Sequence, residues 1–151
     1  MEHRIKKHVV VLALLIALLL NGCFSTKEPY AFKQEADQIT AIEIVKKQYD
    51  STNEDAPYDV LMVLEKTQYQ EFVRAVHAVD GRRMGLDPLT GFGLYYVRVI
   101  YHDGAIEAFG AYSNGYYSPD GTFKRDCYGF DIDEFCAMLS VFLGYEIAYR
   151  S

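Results

Sequence analysis

Tyr95-Tyr96-Val97-Arg98-Val99-Ile100-Tyr101-His102-Asp103-Gly104-Ala105-Ile106 is the stretch whose reading decides the fold. Tyr95, Val97, Val99 and Tyr101 alternate with Tyr96, Arg98 and Ile100, the period-two pattern of a strand with two distinct faces. Asp103-Gly104 is a favoured central pair for a tight hairpin, so the following apolar run over 106–112 is expected to return antiparallel. Asn114-Gly115 and Asp120-Gly121 repeat the same turn chemistry, which extends an antiparallel meander to about Tyr128.

Upstream, Ile42 and Ile44 alternate with Glu43 before Lys46-Lys47, as in a half-buried strand. Residues 51–57 read as a polar turn and 60–64 as a short neighbouring strand. Thr67 and Gln70 have the capping-box spacing ahead of a helix whose apolar face is Tyr69, Phe72, Val73 and Val76, with Gly81 as its stop. Asp131 and Glu134 open a closing helix with a stripe of Phe135, Leu139, Phe142 and Leu143, and Gly144 stands at its end. The sum is an α+β domain over 38–151: an antiparallel sheet of about five strands with two helices packed on one face.

The 151 residues suit one domain with a short appendage. Half are apolar and 24% charged, enough to bury a core and unlike a disordered chain. A formal charge of -6 disfavours nucleic acid as a partner.

The appendage is the N-terminus. Arg4, Lys6 and Lys7 precede an unbroken apolar run from Val9 to Leu20, the arrangement of an export signal. Twelve residues fall short of the roughly 20 that span a bilayer, so a cleaved signal over 1–22 is expected. Leu20-Asn21-Gly22-Cys23 resembles the lipobox of bacterial lipoproteins, in which a small residue precedes a Cys that is acylated and becomes the new N-terminus. The resemblance implies lipidation of Cys23 and attachment to the cell membrane or outer membrane on the extracytoplasmic side. Residues 23–37 then read as a tether. Removing residues 1–22 takes away three basic side chains and one acidic one, leaving 12 against 20 and a charge of -8. Residues 95–143 are similar to small sheet-and-helix domains of uncharacterised bacterial lipoproteins, a likeness that implies no activity.

Cys127 and Cys136 are the thiols left after acylation of Cys23, and an exported chain makes a disulfide between them a candidate. His77, His102, Cys127 and Cys136 lack the paired spacing of a zinc site, and Asp131-Ile132-Asp133-Glu134 lacks the rest of a calcium loop, so no metal or cofactor is expected. There is no Gly-x-Ser-x-Gly elbow, and Gly91-Phe92-Gly93 lacks the Lys that a phosphate loop needs. The notable composition is aromatic: 13 Tyr and nine Phe with no Trp. Tyr favours contact surfaces, since it offers large area at low entropic cost. The expected binding residues are Tyr96, Arg98, Tyr116 and Tyr117, beside the irregular loop 82–93. This composition favours a non-catalytic binding or adaptor module for an envelope protein, peptide or glycan. The rival is a small envelope hydrolase using His77 or His102 as base, with Ser113 or Ser118 as nucleophile.

Overall fold

The computed structural model describes residues 28–49, 52–83 and 91–149. The expected signal peptide and Cys23 lie outside the described residues, as do positions 84–90 of the irregular loop. Among the described residues no helix is long and apolar enough to cross a membrane.

The elements run β1 (Ile39–Lys47), β2 (Tyr58–Val63), α1 (Tyr69–Ala78), β3 (Gly81–Arg83), β4 (Tyr95–Tyr101), β5 (Ile106–Gly110), β6 (Asn114–Tyr117), β7 (Phe123–Asp126), β8 (Tyr128–Phe130) and α2 (Ile132–Leu143). Six strands form one antiparallel sheet in the order β2-β1-β4-β5-β6-β7, and β3 pairs with β8 as a separate ribbon. The α+β class therefore stands, with six strands in the main sheet instead of five.

The extra strand arises at Asn114-Gly115, which lies within β6 and is not a turn. The reversal occurs just before it, where Gly110 N–H donates to the Ser113 carbonyl at 3.0 Å. Tertiary demands hold both residues in the strand. The Asn114 side chain donates to the Tyr30 hydroxyl at 3.4 Å and accepts from Tyr128 N–H at 3.1 Å. A side chain at Gly115 would run into the Phe123 ring. Asp103-Gly104 and Asp120-Gly121 do turn the chain, with glycine φ values of 85° and 83°. Each Asp carboxylate accepts the N–H two residues on, from Ala105 and Thr122, at 2.9 Å.

One face of the sheet carries the main core. Ile42, Ile44, Val97, Val99 and Phe109 meet Phe72 and Val76 of α1 and Phe135, Leu139 and Leu143 of α2 in a single cluster. Burying each such side chain contributes about 1.5–3 kcal/mol. Phe72 and Phe142 meet edge to face at 5.0 Å, which joins the helices to each other.

The helix ends differ in detail from expectation. A 3-10 turn, Lys66–Gln68, precedes α1, and the capping box lies at Glu65 and Gln68 instead of Thr67 and Gln70. Gly81 is not the stop of α1; it opens β3 opposite Phe130, and its missing side chain leaves room for the Tyr128 ring. At α2 the Asp131 carboxylate accepts Glu134 N–H at 3.0 Å, as a cap should. The Glu134 carboxylate instead takes Asp80 N–H at 2.7 Å, tying the end of α1 to the start of α2.

The tether reading of 23–37 needs correction from Glu28 onward. Residues 28–34 form a strap across the core, and Tyr30 is only 2% exposed. Its ring lies 4.7–5.3 Å from those of Phe32, Phe109, Tyr128 and Phe130. Two aromatic residues spaced by one do not form a periodic pattern, so the sequence conceals the segment's apolar anchor.

Candidate functional site

The face of the sheet turned away from the helices is assembled by cross-strand register. Val45 lies opposite Tyr96, Glu43 opposite Arg98, Arg98 opposite Ala108, and Tyr117 opposite Ile106 and Phe123. Its centre is a second, small cluster of Val45, Phe92, Tyr96 and Ala108, flanked by Tyr117 and Phe123. Phe92 arrives from the segment before β4 and packs on Tyr96 at 5.4 Å. It comes so close that its carbonyl occupies the place where a Cβ on Gly110 would stand. The end of the irregular loop, expected to contribute to recognition, thus contributes a plug to the core.

Beside the plug, among the described residues, Arg98 and Tyr117 are partly exposed and Tyr58 is exposed. Arg98 Nη1 donates to Glu43 Oε2 at 2.6 Å, and its guanidinium lies 4.9 Å from the Tyr58 ring centre. Tyr58 in turn meets Tyr96 at 6.0 Å. The ion pair is half-buried, so its charge-assisted hydrogen bond is stronger than that of a freely solvated pair. Tyr58, Val60 and Val63 of β2 leave an exposed apolar rim. Arg125 pairs with Glu54 at the other end of the face.

Burial, reinforced by Tyr58, raises the Tyr96 phenol well above its usual range. Burial, with Asp55 and Glu54 nearby, pushes the Tyr117 phenol up to about 12. Both remain neutral hydrogen-bonding hydroxyls at ordinary pH. The face therefore carries a held cation, phenols and an apolar rim.

Of the four expected binding residues, Tyr96, Arg98 and Tyr117 share this face, although Tyr96 is almost wholly covered. Tyr116 belongs to the helix-bearing side, where it packs against the main core and its hydroxyl accepts from the Gln34 amide at 3.2 Å. Adjacent residues in one strand must point to opposite faces, so Tyr116 and Tyr117 cannot serve one surface. Tyr58 and Glu43 are additions that sequence reading misses. Tyr58 stands alone at the start of its strand, and the pairing of Glu43 with Arg98 depends on register across 55 residues.

The catalytic candidates are dispersed. His77 is exposed on α1 with its ring 5.6 Å from Phe32, and His102 is exposed in the β4–β5 turn. Neither imidazole has a hydrogen-bond or ion-pair partner among the described residues. Among the described residues the buried Ser113 hydroxyl has no hydrogen-bond partner, and that of Ser118 serves its own turn through Asp120 at 2.7 Å. Cys127 and Cys136 are free thiols, so the candidate disulfide is not formed. Cys136 is instead a buried member of the core, and burial raises its pKa. Among the described residues no three His, Cys, Asp or Glu side chains are grouped to hold a metal ion.

A buried polar cluster beneath the strap is the other feature that sequence reading misses. Glu107 is fully buried on β5, and its carboxylate accepts from the Tyr30 hydroxyl at 2.5 Å, the Tyr101 hydroxyl and Lys33 N–H at 2.9 Å. Beside it a cavity of about 50 Å³ is lined by Glu28, Tyr30, Arg83, Asn114, Asp126 and Tyr128, among others. Lys33 Nζ closes on Asp126 at 2.9 Å, and Arg83 reaches both Glu28 and Asp126 at 3.3 Å.

No protein family, curated protein or solved structure matches this chain, so its functional reading comes from its own geometry.

Proposed function

We propose that this chain is a lipid-anchored, extracytoplasmic binding or adaptor module. Acyl chains on Cys23 attach it to the membrane, and the helix-free face of its sheet engages an envelope protein, peptide or glycan. The observation that carries the binding role is Arg98, set between Glu43 and the Tyr58 ring on the helix-free sheet face, beside the exposed rim of Tyr58, Val60 and Val63. A cation held beside phenols and an apolar rim suits contact with a mixed polar and aromatic surface. Support for the anchor is the small residue and Cys at the end of a short apolar run, and two or more acyl chains give firm attachment. Among the described residues neither exposed imidazole has an organising partner for the hydrolase alternative.

The test is site-directed photo-crosslinking in intact cells. A crosslinker at Tyr117 should yield an adduct that Arg98→Ala weakens, while one at Arg74 on α1 should not. Equal adducts from both positions would refute recognition by this face. Cys23→Ser should abolish both palmitate labelling and membrane retention. A double His77→Ala, His102→Ala chain should retain the wild-type phenotype, and loss of that phenotype would restore the hydrolase.

A further inference from the structure

The strap changes the geometry of attachment. Glu28, the first described residue, is already packed: its carbonyl accepts the Tyr128 hydroxyl at 2.6 Å and its carboxylate pairs with Arg83 at 3.3 Å. Two residues on, Tyr30 is locked into the core by its ring contacts and by Glu107. If Cys23 carries the lipid, as proposed above, only five peptide steps separate acylated sulfur from packed domain, and these reach at most about 18 Å.

That reach is small beside the molecule. A domain of this size has a radius of gyration of about 14 Å and is about 35 Å across. Were the opposite side to rest on the bilayer, the leash would have to be about twice as long as it is. The strap also lies toward one side of the sheet: its partners Glu107 and Asp126 belong to β5 and β7, whereas β2 is the opposite edge. Five interstrand spacings, about 24 Å, separate β7 from β2.

The surface around the attachment point carries cations despite the acidic whole. Lys33, Arg82 and Arg83 are exposed there, and Arg82 has no ion-pair partner among the described residues. Glu28, Asp80, Asp126 and Glu134 are the neighbouring acids; Arg83 engages Glu28 and Asp126, and Glu134 is held by Asp80 N–H.

We infer that the domain is held close to the bilayer on this short leash, with the end bearing Glu28, Lys33, Arg82 and Arg83 toward anionic lipid headgroups and the edge strand β2 carried away from them. The binding face is thereby presented by its outer edge, where Tyr58, Val60 and Val63 form the apolar rim. Cations near such a surface strengthen its attraction by about fivefold each.

The acylated mature protein in vesicles of phosphatidylcholine and phosphatidylglycerol containing a headgroup quencher provides the test. A fluorescent residue at Ala31 should be quenched severalfold more than one at Val60. Inserting a 15-residue Gly-Ser segment between Lys27 and Glu28 should erase the difference, and R82E with R83E should reduce it in anionic vesicles only. Equal quenching at the two positions in an acylated, vesicle-bound protein overturns the orientation alone. Absence of acyl mass on Cys23 overturns the anchoring reading and this inference with it.

Discussion

At Glu107 three donors converge on one fully buried carboxyl group, and two of them, the Tyr30 hydroxyl and Lys33 N–H, belong to the strap. Burial raises its pKa, while the Lys33 N–H, the two hydroxyls and the Lys33 charge pull it partway back. The folded carboxyl thus binds its proton more tightly than the unfolded one, whose pKa is about 4.3. By linkage, this group's contribution to stability is fully present below about pH 4.3 and is lost as pH rises through the folded value. Glu107→Gln should remove that decline, seen as a flatter plot of urea midpoint against pH between 4 and 8. A mutant plot as steep as wild type would assign the dependence elsewhere. Tyr30→Phe leaves the same carboxylate short of one donor and should cost about 1–3 kcal/mol at neutral pH. None of this is legible in sequence, because a Glu within an apolar strand reads as its solvent face until Tyr30, 77 residues away, is placed above it.

Among the elements, those specified by local chemistry are the ones that sequence reading locates. Strand β4 and its Asp103-Gly104 turn depend only on alternation and a glycine at positive φ. The cap of α2 depends on a side chain reaching three residues along its own backbone. Asp131→Ala should therefore cost about 1 kcal/mol, measured by chemical unfolding, and Asp131→Asn much less, since an Asn side chain also accepts from the helix. Equal losses for the two would assign the effect to charge and not to capping. Asn114-Gly115 shows where local chemistry loses. Its turn propensity is worth less than the buried hydrogen bonds of Asn114 and the space Gly115 leaves for Phe123, so the pair is drawn into β6.

For the whole molecule, the strap makes the boundary of the folding unit a matter of energetics. A chain beginning at Glu28 should match the stability of one beginning at Cys23, whereas one beginning at Asp37 should lose at least about 3–5 kcal/mol, the usual loss on emptying one large aromatic site. That is a large fraction of the total for a typical domain. Urea unfolding of the two versions decides, and equal midpoints would show that Tyr30 and Phe32 contribute nothing net.

Alternation, turn dipeptides and helical stripes by themselves determined the α+β class, the central hairpin and both helices, because each is a contest among neighbouring residues. Only the tertiary structure decided that residues 28–34 belong to the domain, that Tyr117 and not Tyr116 lies on the helix-free face, that Phe92 fills the second face, and that Arg98 stands between Glu43 and Tyr58. Those outcomes depend on register and on burial between residues tens of positions apart, where the free energy belongs to contacts that no local pattern encodes.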